Sequence, residues 1–82
     1  MADKGTIPQA TIDRYLAGDN RHQRMLGELF ACFADIEDKF AKHQMLGTMG
    51  FLLYELHGSK FLTDQEYAFE KGCLDVLMEE LR

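Results

Sequence analysis

Apolar residues return along this chain at helical steps. From Met25, the positions Leu26, Leu29, Phe30, Phe33, Ile36 and Phe40 recur at intervals of one, three and four, which is the buried stripe of an amphipathic helix. Arg24, Glu28, Asp35, Asp38, Lys39 and Lys42 fall on the other side. Asp35 to Lys39 and Asp38 to Lys42 are acid-before-base pairs at i,i+4, each contributing about 0.3 kcal/mol to a helix. A second stripe follows in Met45, Leu46, Met49, Leu52, Leu53 and Leu56, with Phe51 and Tyr54 extending the apolar surface round its side. A buried strand over Phe51–Tyr54 would have no partner strand, so helix is the reading. A third stripe comprises Tyr67, Cys73, Leu74, Leu77, Met78 and Leu81. Ahead of all three, Ile12, Tyr15 and Leu16 give one short apolar face of roughly ten residues, too few to be stable alone.

Start and stop signals bracket these stripes. Thr6 and Gln9 have the spacing of a capping box, and Pro8 suits a first helical turn. Gly18 is expected to supply a left-handed stop, and Asp19-Asn20 the next cap. Thr63-Asp64-Gln65-Glu66 is a full capping box, with Leu62 and Tyr67 placed as a hydrophobic staple. Gly58-Ser59-Lys60-Phe61 reads as a turn. Between Phe40 and Gly58 there is no proline and no strong turn dipeptide. One helix over residues 20–57 would be about 57 Å long, whereas a compact domain of this size is about 30 Å across. Either the helix breaks near Lys42–Thr48, or the protein is an elongated dimer. Lys39, Lys42 and His43 suit a helix C-terminus, and Gly47 follows, which favours the break.

The prediction is an all-α protein, a small bundle of three to four helices that dimerises. Residues 1–5 lack periodicity and read as a flexible N-terminus; residues 6–82 read as a single helical domain. Composition enters here because 82 residues make a thin core, which small domains reinforce with disulfides, metals or a second chain. Two cysteines and an N-terminus without an apolar signal core point to a reduced, cytoplasmic setting, so association is the expected reinforcement. No run is long and apolar enough to span a bilayer, so no membrane contact is expected.

The net charge of −5 is unevenly spread. Residues 1–24 carry +1, residues 25–62 carry −2 and residues 63–82 carry −4. That balance argues against direct nucleic-acid binding.

Chemical motifs are few. His22, His43, His57, Cys32 and Cys73 are scattered and match no zinc or di-iron spacing, so no metal and no cofactor are expected. Cys32 and Cys73 both read as small core hydrophobes. Gly47-Thr48-Met49-Gly50 lacks the lysine and the preceding strand of a phosphate loop. Asp35, Glu37 and Asp38 have no desolvated site in which to act as an acid/base pair. The chain is not expected to be an enzyme.

Apolar surface is what rises above background. Segment 45–57 offers more than one face, with Met49, Phe51, Leu53 and Tyr54 as candidates for a partner or dimer interface. The corresponding function is a non-enzymatic protein–protein interaction module that binds and modulates a larger protein as regulator, adaptor or inhibitor. The alternative is an acidic inhibitor that imitates nucleic acid in a basic groove, using Glu70, Asp75 and Glu79 of the last helix.

Overall fold

Four helices account for the architecture, with no strand among the described residues 7–82 of this computed structural model. They are α1 (Gln9–Leu16), α2 (Arg21–Phe33), α3 (Lys39–Gly58) and α4 (Asp64–Glu80). Helix α1 packs on α2, α2 on α3 and α3 on α4, so α3 lies in the middle of the chain of contacts. The radius of gyration is 11.9 Å and the principal extents are 32 × 23 × 22 Å.

Local chemistry sets each boundary. The Asn20 side chain accepts a hydrogen bond from the His22 N–H (2.6 Å) at the start of α2. The expected capping box opens α4: the Thr63 hydroxyl accepts from the Glu66 N–H, and the Glu66 carboxylate accepts from the Thr63 N–H (3.1 and 2.9 Å). The end of α3 is a Schellman motif in which Phe61 N–H donates to the Leu56 carbonyl and Lys60 N–H to that of His57 (both 3.0 Å). Its left-handed position is held by Lys60, at φ 69°, with Gly58 still helical.

Several sequence expectations are corrected here. Thr6 lies outside the described residues, and Pro8 stands at the N-cap itself, accepting from Thr11 and Ile12 N–H. Gly18 is not left-handed, since no described glycine has a positive φ; Ala17 and Gly18 instead donate to the Asp13 and Tyr15 carbonyls. The long central segment does break, but at residues 34–38 and not at Lys42–Thr48. There, Asp35 and Ile36 N–H close tight bonds to the Cys32 and Phe33 carbonyls, and the Asp38 carboxylate accepts from the Phe40 N–H (3.0 Å).

Neither i,i+4 pair forms: Asp38 caps α3, and Asp35 lies in the link before that helix, outside the helix its pair with Lys39 would need. Lys39, Lys42 and His43 consequently lie near the start of α3, the end opposite to the one their charge suggests. Phe40, assigned to the buried stripe of the preceding helix, leaves that phase and is 69% exposed.

The core joins Ile12 and Tyr15 of α1, Leu26 and Phe30 of α2, Leu46, Met49, Leu52, Leu53 and Leu56 of α3, Leu62, and Leu74 of α4. Full burial of each leucine contributes about 1.5–3 kcal/mol. The α1–α2 contact depends on a glycine: a Cβ at Gly27 would come within 2.9 Å of the Leu16 backbone nitrogen. Short α1, unable to persist alone, is held by this close approach and by two side-chain links to α4 described below.

Candidate functional site

The solvent face of α3 is where the surface departs most from an ordinary helical exterior. Phe40, Gly47, Phe51, Tyr54 and Gly58 follow one another at steps of seven, four, three and four residues, which places them on one stripe. Opposite that stripe, Leu46, Met49, Leu53 and Leu56 fill the core. Phe51 is 59% and Tyr54 65% exposed, so with Phe40 three aromatic rings stand in water on one helix. A helix interior glycine costs about 1 kcal/mol relative to alanine. Gly47, Gly50 and Gly58 have no neighbour within 4 Å of an added Cβ, so nothing inside the chain requires them to be small.

Of the four residues expected at an interface, the structure brings only Phe51 and Tyr54 to the surface. Met49 and Leu53 are completely buried. The sequence reading correctly found α3 apolar most of the way round but merged its two faces. Phe40 was missed as a third member of the outer stripe, although its spacing of seven residues from Gly47 carried the signal. Phe69 of α4, 56% exposed, was also missed.

The acidic trio of α4 does not share one face. Asp75 accepts from Lys71 Nζ (2.9 Å), and Glu79 lies 3.5 Å from Arg82 Nε. Glu70 is only 3% exposed and points into the core, where its carboxylate accepts the Tyr15 hydroxyl hydrogen bond. Burial pushes the Glu70 carboxyl above the usual carboxylate range, while the Tyr15 hydrogen bond and the nearby Arg14 pull it down. Tyr15 is likewise raised, by burial first and then by Glu70. Its ring lies 5.8 Å from Phe30 and 5.9 Å from Phe61, centroid to centroid.

Beside it, Arg14 bridges the same two helices through Glu66 (2.6 Å), donates to the Phe61 carbonyl (3.3 Å) and covers the Phe61 ring. The Glu66 carboxyl is held below its ordinary value by the Thr63 backbone N–H and by Arg14.

The remaining polar groups are dispersed. His57 stacks on Tyr67 at 4.5 Å and hydrogen-bonds to Asp64 (2.6 Å), joining the end of α3 to the start of α4. Cys73 is buried, and burial raises its thiol pKa, so it stays protonated and unreactive at neutral pH. Cys32 is a correction: it is exposed on α2, with its thiol towards the Leu29 carbonyl (3.7 Å). Among the described residues no three metal-binding side chains converge, and no helix is long and apolar enough to cross a membrane.

A shallow cleft of 450 Å³ lies at one end of the bundle, walled by Phe30, Phe33, Met49, Leu77 and Leu81, with Lys42 and Glu80 among its lining. Comparison with protein-family models, curated proteins and solved structures returned no match. Function is therefore argued from the chain's own surfaces.

Proposed function

We propose that this protein is a non-enzymatic interaction module that binds and modulates a larger protein, and that the outer face of α3 is its contact surface. The observation that carries the reading is the coincidence of Phe40, Phe51 and Tyr54 in water with Gly47 and Gly58 on the same stripe. Aromatic rings are the groups most enriched at the energetic centres of interfaces, and glycines let a second backbone come close. The dimeric state and cytoplasmic setting expected from the short, cysteine-poor chain belong to the same proposal.

Photo-crosslinking from position 51 in the source cell tests it. An adduct between this chain and one larger protein is expected from position 51 and not from Gln65, an exposed control on α4. The same adducts from both positions, or none from position 51, would overturn the reading.

A further inference from the structure

We infer that, in the absence of that larger partner, the outer face of α3 is occupied by a second copy of this chain, with the two α3 helices antiparallel. The inference rests on the reading of this face as a contact surface and adds how it is kept covered.

Self-complementarity supplies the argument. A two-fold axis passing level with residue 49 sets two of the three large residues of the stripe, Phe51 and Phe40, against gaps in the other copy. Gly47 lies opposite the partner's Phe51, and Phe40 lies opposite the partner's Gly58. Both gaps are open in the single chain, since nothing lies within 4 Å of a Cβ at either glycine. On the flanks the same register brings Tyr54 level with the partner's Gln44, and Glu55 level with the partner's His43. Each is a hydrogen-bonding combination.

Charge selects the direction. The first two turns of α3 carry Lys39, Lys42 and His43, behind the capping Asp38, whereas Glu55 lies towards its other end, ahead of His57 and Lys60. Lys42 is engaged within its own chain, 5.0 Å above the Phe33 ring. Among the described residues neither Lys39 nor Glu55 has an ion-pair partner within the chain. Antiparallel association brings Glu55 level with the partner's His43 and opposes the helix dipoles, which parallel association would align.

Area sets the strength. A 20-residue helix presents a face about 30 Å long and about 10 Å wide, so one seam buries roughly 600 Å² in total. Stable interfaces bury about 1,200–2,000 Å². The association is therefore weak and concentration-dependent, and a partner with a better-matched surface displaces one copy.

Sedimentation equilibrium of the purified full chain over a wide micromolar range reads this directly. The expected mass rises with concentration from 9.4 kDa towards twice that value. Gly47→Leu fills the gap opposite the partner's Phe51 and should remain monomeric throughout, with thermal unfolding no lower than that of the parent. Phe51→Ser should weaken association at least tenfold.

A spin label at Ser59→Cys, an exposed position outside the seam, in a Cys32→Ser background, should report an axial separation of about 30 Å for the antiparallel pair. Parallel helices would bring the labels to about 10 Å, the spacing between helix axes. A parent chain monomeric at the highest concentration, a Gly47→Leu variant that dimerises like the parent, or the short label distance would each overturn the proposal.

The two readings fail separately. A monomeric chain that still crosslinks to a larger protein from position 51 ends self-association and leaves the contact surface standing. A dimer whose only adduct from position 51 is itself does the reverse.

Discussion

Glu70 and Phe51 sit on adjacent helices and break the ordinary rule of burial in opposite directions. The carboxyl group is 3% exposed and the aromatic ring is 59% exposed. Inside, the exception is matched: the Tyr15 hydroxyl bonds the carboxylate, and no buried side-chain polar atom among the described residues lacks a partner. Outside, it is unmatched, because the described residues leave most of Phe51, Tyr54 and Phe40 in water. A buried polar group with its partner is a device of the fold. An apolar group left in water is a request for something beyond the chain.

Mutations can sharpen that contrast. Leu53→Ala and Phe51→Ala sit two residues apart on α3, one in the core and one outside it. Denaturant titration should show Leu53→Ala losing about 2–5 kcal/mol, with a lower midpoint and an unchanged slope. Equal losses from the two variants would mean that Phe51 is packed in the single chain.

Tyr15→Phe should cost about 1–3 kcal/mol, because it strands the Glu70 carboxyl in the core while keeping the ring between Phe30 and Phe61. Little change in that variant would show that Glu70 finds water or another donor.

The effect of pH follows from the direction of the Glu70 shift. With its carboxyl raised, the native state holds a proton that the unfolded chain has released. The stabilisation is full below the ordinary carboxylate value and is lost as pH rises through the raised one. Glu70→Gln should abolish that decline, gaining on the parent towards neutral pH. Glu66 runs the other way: its lowered carboxyl stabilises above the ordinary value and loses that contribution as pH falls. A parent whose stability does not fall between weakly acidic and neutral pH would contradict the burial of Glu70 as a charged group.

The smallest effect belongs to Phe51→Ala itself. Measured where the chain is monomeric, it should change stability by less than about 0.5 kcal/mol, as surface substitutions generally do.

Much of this was legible in the residues. Helical spacing identified the last three helices, and Thr63 with Glu66 marked the start of α4 through a local exchange of hydrogen bonds. Length left the central segment a choice between a break and an elongated dimer, and the structure shows the break. Where it breaks was not readable, because Asp38 fits both ion pairing and capping, and the structure uses it to cap. Glu70 was misplaced for a different reason. It sits three residues after Tyr67 and four before Leu74, in phase with the buried stripe, but its charge argued for water. Only Tyr15, 55 residues earlier, makes burial tolerable, and no local pattern encodes a partner that distant. Likewise, α3 read as apolar all round, yet which side meets the core depends on where α2 and α4 lie.

The bond between Tyr15 and Glu70 also orders events in time. Helix α1 leaves the ribosome early, but the acceptor for its tyrosine belongs to the last helix. Until residue 61 emerges, α1 has Gly27 and α2 to rest on and no polar anchor beyond them. The loop that must close is most of the chain, and its entropy is spent before the contact returns anything. A chain stalled before residue 61 therefore lacks every described polar contact that fastens α1 to the later residues, because Phe61, Glu66 and Glu70 all lie at or beyond that point.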